Sequence, residues 1–562
     1  MKKRTVRIMA AAMAATMTVR SAAPVYAKKK DKEKEVKLTE AGTYPIVPEG
    51  EELTLTCFTI LQPNVENFET NDFTKYLEDL TGVHIEWVTA NANDYKEKLN
   101  MMLSSGDYPD FLLGVSPDLA KFGVQEQIIV PIDEYLTEEN MPNYMKRYGD
   151  KLDISRESDG KIYSLIAEND CYHCSYARKM WINTKYLDEI GVEKPTTTDE
   201  FIEVCKKFKE YKPDGVAVLG SAPGKSWYGE AEDYFMGSFI LPPSKSYTLG
   251  VRDKTAVTWD GEVVCVAKDD RYREFLKYMK TLYNEGILYE GKFTQDEAQM
   301  KAIINQEDAP VLAFATGTIS NDIDVASNPE LYAQYETLPP LKGPDGTQLS
   351  TYFKYMAISD GNFSITETCK SPEAALRWVD FFYSEIGDLA SQYGPDEGKD
   401  WILNPEGEVG LNGKPAKYKI LNPYSAETQN HDWQDLGIRV ADRDYTLGEA
   451  TAQDVDIYSA EGLGKLLYDS TARDYEPYGQ TEENSDLDVL PQMKLTTEES
   501  TKVSTVAVEI EKLIDETSTA FIVGTRDIND DKDWESFKDA LDKAGLADLL
   551  EVYQTAYDRQ MK

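Results

Sequence analysis

The chain has 562 residues, room for two to four domains at roughly 100 to 200 residues each, and its 60 Lys plus Arg face 100 Asp plus Glu for a formal net charge of −40. A surface this acidic repels the phosphate backbone of a nucleic acid and the face of an anionic bilayer, so nucleic-acid function is excluded and any membrane role is expected to be peripheral. Mean hydropathy is −0.50, no apolar run approaches the ~18 residues of a spanning helix, and 35 Tyr, 8 Trp and 18 Phe give a folding chain with aromatic surface suited to polar rings.

Lys2, Lys3, Arg4 and Arg7 precede the Ala- and Met-rich stretch Ile8 to Val19, and Val25-Tyr26-Ala27 puts small residues at −3 and −1. That order reads as a secretory signal peptide over 1–27. The first cysteine is Cys57, so no lipid acceptor is expected at the mature N-terminus, and the product is expected to be secreted, released or held at the surface by a partner. Residues 28–44 read as a charged linker.

Glu52 to Ile60 alternates as a strand, Phe68 to Leu80 has helical spacing, and Val83 to Val88 is a second strand, a β-α-β opening. Tyr95 to Leu103 is helical, Asp110 to Leu113 is a short apolar run, and Ile128 to Leu136 carries a Pro-punctuated segment and a further helix. The alternation predicts a mostly parallel sheet covered by helices. Ile162 to Ile166 and Met180 to Ile182 read as extended segments, Tyr186 to Ile190 as a helix closed by Gly191, and Thr197 with Glu200 as a capping box opening the helix of Phe201, Val204 and Phe208. Further on the predicted elements are a helix over Arg271 to Glu285, a buried strand over Ala309 to Thr316, a strand over Tyr352 to Ile358 and a helix from Ser371-Pro372-Glu373. Residues 394–424 read as loops or a hairpin, and Trp534 to Ala544 and Leu546 to Gln560 as a helical pair broken at Gly545.

Six cysteines in a long exported chain are too few for a disulfide scaffold. Cys171-Tyr172-His173-Cys174 has the spacing of a redox or zinc half-site, but the chain has no second C-x-x-C and only His84, His173 and His431 to complete a shell. A disulfide or two ordinary thiols is the expectation, with no metal and no cofactor. Gly220-Ser221-Ala222-Pro223-Gly224-Lys225-Ser226 falls one residue short of a phosphate loop and loses one cradle N–H at Pro223. Asp527 to Asp533 starts like a calcium loop but has Lys532 at the glycine position. With no H-E-x-x-H and no G-x-S-x-G, nothing points to an enzyme.

Asp107-Tyr108-Pro109-Asp110-Phe111, Pro131 to Leu136, Asp159-Gly160-Lys161-Ile162-Tyr163, and above all Trp181-Ile182-Asn183-Thr184-Lys185-Tyr186-Leu187 followed by Lys194-Pro195-Thr196-Thr197, resemble the extracellular solute-binding proteins, family 1, of carbohydrate ABC importers. The ending, Phe521 to Gly524, Asp533-Trp534 and Gly545 to Arg559, is similar to the long, lipoprotein-type branch. The resemblance implies an α/β, two-lobed, periplasmic-binding-protein-like (type II) fold with a hinge and an interlobe ligand cleft. It implies a carbohydrate ligand, an oligosaccharide or modified sugar, delivered to ABC permease subunits by a monomer that catalyses nothing. Two discontinuous lobes are expected, 45–170 with 300–355 and 171–299 with 356–500, with a helical segment 501–562 packed on them. Where the branch has an Asp- and Asn-rich calcium loop, Tyr211-Lys212-Pro213-Asp214-Gly215 lacks those oxygens, so no structural calcium is expected.

Loops leaving the carboxyl ends of strands line the cleft of such lobes, which nominates Gln62 and Asn64 after the first strand and Ser116 after the Asp110 strand. Asp170, Tyr172 and His173 lie where the resemblance places a crossing between lobes. Trp227, Tyr228 and Trp433 lie in irregular polar stretches and are stacking candidates, Tyr352 adjoins a strand expected to return between lobes, and Trp181, Trp259, Trp378 and Trp534 are expected in cores. The rival readings are a peptide or sensor ligand in the same cleft, and an exported glycan-degrading enzyme.

Overall fold

Leu53–Leu61 (β1) lies at the centre of the first sheet because its alternation buries Leu55, Cys57 and Thr59, with Phe58 filling the opposite face. The computed structural model describes residues 36–561 except 62–64, 92–93, 244–248, 250, 307–309, 326, 356, 361, 424–427, 435 and 437; the signal-peptide reading and the linker before residue 36 lie outside these. The first unit continues with α1 (Asp72–Thr81), β2 (Val83–Asn91), α2 (Tyr95–Ser105) and β3 (Phe111–Leu113). Asn71 caps α1 by accepting from the Phe73 and Thr74 amides. Gly82 ends it at φ 70°, where a Cβ would also meet the Val47 carbonyl at 2.7 Å.

The chain then runs through β4 (Ala167–Asn169), β5 (Met180–Asn183), α3 (Thr184–Ile190), α4 (Thr198–Tyr211), β6 (Val216–Leu219), α5 (Asp270–Asn284), β7 (Val311–Ala315) and β8 (Tyr335–Leu338). The expected capping box of Thr197 and Glu200 opens α4, and Gly191 closes α3 at φ 67°. Lys209 on α4 donates to the carbonyls of Pro213 (3.1 Å) and Gly215 (3.0 Å), so an ammonium holds the turn into β6. After β9 (Ile358–Ser359), β10 (Phe363–Ile365), α6 (Pro372–Asp380) and β11 (Val440–Ala441), the chain ends in α7 (Thr497–Ile522), α8 (Asp531–Lys543) and α9 (Leu546–Met561).

Three sheets organise these elements. The first has the order β10-β3-β1-β2, with β1 parallel to β2 and β3 and β10 antiparallel to β3. The second has the order β8-β5-β7-β6, with β6 and β7 parallel and β5 antiparallel to β7 and β8. The third is small, β9-β4-β11, and lies where the chain passes between the other two. One core holds Leu55, Phe73, Phe111, Ile365, Trp378 and Trp433; another holds Phe201, Phe235, Leu276, Ile510 and Phe537.

The allocation of the later chain differs from the expectation. Val311–Ala315 and Tyr335–Leu338 pair within the second sheet, so 300–355 does not join 45–170. Phe363–Ile365 pairs with β3, and Trp378, Phe382 and Trp433 pack in the first core, so this part of 356–500 returns to the first lobe. An apolar strand announces that it is buried, but not which sheet takes it. Local departures are smaller. The Ile128 to Leu136 helix is one 3-10 turn, Asp133–Tyr135; the extended run at Ile162 to Ile166 becomes a strand only at Ala167; and the Tyr352 strand is confined to Ile358–Ser359. The C-terminal segment starts at Thr497, where Thr496 and Glu499 form a capping box, and α7 buries Val503, Ala507, Ile510, Ile514 and Phe521 against the second core.

One ionic staple fastens the first lobe. His431 bonds Asp72 at the start of α1 through Nδ1 and Asp400 through Nε2, each at 3.0 Å, and Gly394 leaves the room, since a Cβ there would lie 2.4 Å from Nε2. Burial works against a charged ring, but the hydrogen bonds to Asp72 and Asp400 raise its pKa despite the nearby Lys399. The folded pKa lies above the unfolded value of about 6.5, so the stabilisation is complete below about pH 6.5 and is lost as pH rises through the folded pKa. His431→Gln is therefore expected to lower the thermal midpoint most near pH 6, with the gap to wild type narrowing toward pH 9 in melts across that range.

Candidate functional site

In the second lobe β6 and β7 run parallel and end together, so the segments leaving Leu219 and Ala315 emerge on one edge. Segment 220–229 is closed at its base by the Ser221 amide on the Gly229 carbonyl (2.7 Å) and carries Trp227 and Tyr228, both half-buried. Their rings meet edge to face at 5.3 Å, and the His173 ring stands at 78° to Trp227 at 6.2 Å. Tyr228 has φ 56°, a left-handed conformation unusual for an aromatic residue, and its ring packs 5.9 Å from Phe353. His173 precedes β5 and Phe353 precedes β9, so segments that connect the lobes complete this wall.

The connecting segments are fastened by Arg443, which follows β11. It donates through Nε and Nη2 to Asp170 Oδ1 (3.1 and 2.7 Å) and through Nη2 to Ser175 Oγ (3.2 Å), and its guanidinium lies 5.3 Å from the Tyr172 ring and 5.8 Å from the Tyr352 ring. Tyr352 stacks on Tyr176 at 5.1 Å, and the Tyr172 hydroxyl donates to Glu476 at 2.6 Å. Asp170, Tyr172 and Tyr352 are thus engaged with the protein's own hinge. Beside them Lys179 is buried, with Nζ donating to the carbonyls of His173 and Tyr176 at 2.7 Å each, and burial lowers its pKa to about 7. Burial, helped by Lys179, pushes His173 down to about 3, so its ring is neutral, and Nδ1 is buried with no hydrogen-bond partner among the described residues.

Cys171 and Cys174 form a disulfide with Cα atoms 5.2 Å apart. Cys171, His173 and Cys174 come within metal-ligand reach of one another, but sulfurs bonded to each other offer no thiolate to a metal.

The nominated residues therefore separate. His173, Trp227 and Tyr228 come together in one aromatic cluster at the edge where β6 and β7 end, and Asp170, Tyr172 and Tyr352 gather around Arg443. Ser116 lies past the end of β3, its Oγ donating to the Asp360 carbonyl at 3.3 Å, near where Lys494 pairs with Asp360 and with Glu157 (3.0 Å). Gln62 and Asn64 fall outside the described residues. Trp433 is a correction: it is enclosed, donates from Nε1 to Thr74 Oγ1 at 2.9 Å and packs against Phe68, Phe73, Trp87 and Phe382, so it cannot stack on a ligand. Its loop is polar because His431 and Asp432 staple it, while the indole faces inward. Trp181, Trp378 and Trp534 are buried as expected, but Trp259 is 37% exposed, with Nε1 on the Ser485 carbonyl at 2.7 Å. Sequence reasoning missed Arg443 and Phe353, whose roles depend on contacts far apart in the chain.

Arg443→Ala leaves the Asp170 carboxylate without its guanidinium and unlinks the connecting segments. The expected cost is about 1–3 kcal/mol of unfolding free energy, read as a lower urea midpoint.

The sequence profile of bacterial extracellular solute-binding proteins matches residues 63–388. The chain is 27% identical over 535 residues, 92% of each chain, to the fructooligosaccharide ABC transporter substrate-binding protein FusA of Streptococcus pneumoniae serotype 4. Among solved structures, FusA of S. pneumoniae in complex with kestose aligns with a TM-score of 0.68 and 23% identity over 90% of this chain and 99% of that one. An extracellular solute-binding protein from Bifidobacterium longum subsp. infantis aligns with a TM-score of 0.70 and 21% identity over 92% and 100%. The architecture is the two-lobed, type II periplasmic-binding-protein-like fold that the sequence resemblance implied.

Proposed function

The chain belongs to the bacterial extracellular solute-binding protein family, and on that premise we propose that it captures an oligosaccharide in the interlobe cleft and delivers it, chemically unchanged, to the permease of an ABC importer. The observation that carries this reading is the aromatic wall of Trp227, Tyr228 and His173 where the second-lobe strands end. An indole covers the apolar face of a sugar ring at small entropic cost, while neighbouring hydroxyls and amides take the sugar's own hydroxyls. The name of the relative FusA, a fructooligosaccharide-binding protein over nearly the whole of both chains, supports the same cargo class. The protein acts as a monomer outside the cell, with the permease as its surface partner.

A transport receptor must hold its cargo firmly enough to capture it and still let go on docking. Micromolar affinity requires about 8 kcal/mol, within reach of one stacked ring and several hydrogen bonds. Lobes joined by a narrow hinge allow those contacts to be made on closure and broken on opening. Nothing in this cycle needs a nucleophile or a proton donor.

The test is a thermal-shift screen of residues 28–562 against neutral and uronic oligosaccharides, with peptides as controls. A concentration-dependent rise in midpoint with one glycan class, and no change in that glycan after long incubation, is the expected result. Trp227→Ala should weaken that binding at least about tenfold, about 1.4 kcal/mol, in calorimetric titration. Cleavage products would replace transport with glycan degradation; a shift with peptides alone would replace the sugar with a peptide.

A further inference from the structure

We infer that Gly317 is the positioning residue for Trp227: the missing side chain at 317 lets the indole lie where a ligand meets the second lobe. The inference rests on the oligosaccharide reading above for the ligand, and on geometry alone for the placement.

Gly317 is the second residue after β7, on the edge where 220–229 also emerges. Its amide donates to the Trp227 carbonyl at 3.2 Å. A Cβ built on Gly317 would lie 2.1, 2.3 and 2.8 Å from Cζ3, Cε3 and Cη2 of Trp227, so the backbone of residue 317 presses against the six-membered ring of the indole. Real Cβ atoms do not approach carbon this closely, so alanine here requires something to move. Gly317 is not among the residues of positive φ; a side chain is excluded by the ring and not by the backbone conformation.

The backbone has little freedom to retreat. The Thr316 amide donates to the Lys179 carbonyl (3.2 Å), the Thr316 carbonyl accepts from buried Trp181 Nε1 (3.2 Å), and Thr316 Oγ1 donates to the Thr318 carbonyl (3.1 Å). Residue 316 is pinned to the second sheet, so the displacement falls on Trp227. The indole, with one side against Gly317 and the imidazole of His173 across its edge, has a single seat. Tyr228 beside it holds a left-handed backbone at φ 56°, so the loop carries a sparsely populated conformation next to that seat. Gly317 thus fixes the tilt of the stacking surface and with it the sugar ring orientation that the cleft accepts.

The test is a double-mutant cycle of Gly317→Ala and Trp227→Ala, read by thermal midpoint and by Kd for the oligosaccharide that stabilises the wild type. Gly317→Ala alone should lower the midpoint and weaken binding at least fivefold. In the Trp227→Ala background, where the ring is gone, it should change neither, so the double variant should match Trp227→Ala. Losses that add, or a Gly317→Ala protein that binds sugar like wild type, overturn the inference. If Gly317→Ala alone fails to fold, recovery of a folded double variant supports it and failure of both variants overturns it. If no sugar binds the wild type, the oligosaccharide reading fails, while the midpoint cycle still decides whether Gly317 seats Trp227.

Discussion

A single guanidinium ties together the segments that join the two lobes. Arg443 comes from the last of three connecting stretches, its ion pair and hydrogen bond reach Asp170 and Ser175 of the first, and its guanidinium carbon lies over the rings of Tyr172 of the first and Tyr352 of the second. The strands beside it are two or three residues long, too few for ladder hydrogen bonds to hold them alone. Arginine suits this place, because its several donors can pair with a carboxylate and a hydroxyl while its cation lies against aromatic rings.

The aromatic cluster of His173, Trp227 and Tyr228 depends on the same region. His173 follows Asp170 and Tyr172 by a few residues, and the disulfide between Cys171 and Cys174 closes the turn that carries it. Buried Lys179 donates to the carbonyls of His173 and Tyr176, so the backbone that carries the imidazole facing Trp227 is fixed by the disulfide and by hydrogen bonds and not by packing alone. Burial keeps the imidazole uncharged, so the cluster it forms with Trp227 and Tyr228 is one of neutral aromatic rings.

The periodic parts of the fold were legible in the sequence: the β-α-β opening, the capping box at Thr197, the Gly191 stop and the C-terminal helical pair all follow from local chemistry. Trp227 and Tyr228 stood out because they lie in an irregular stretch, and His173 because the family resemblance places a crossing between lobes there; the structure brings the three rings together. Trp433 misled because its neighbours are polar while its own ring is enclosed, a distinction that requires knowing that 429–433 packs on α1. Strands of two residues at Ile358 and Val440 leave no periodic signal, and the return of Phe363–Ile365 to β3 is a long-range pairing that local pattern cannot encode. Gly317 was invisible for a related reason, since its importance lies in a neighbour ninety residues earlier in the chain.

Because the chain passes back and forth between its lobes, neither lobe can be finished early. The first sheet lacks an edge strand until Phe363–Ile365 is available to pair with Phe111–Leu113, and the second core lacks α7 and α9 until the very end of the chain. Such late, distant pairings are slow to form and leave apolar strands uncovered in the meantime. The first core is drawn from residues up to Tyr445, whereas the second waits for α7 and α9, so the two lobes are completed in sequence and the second is the last to close.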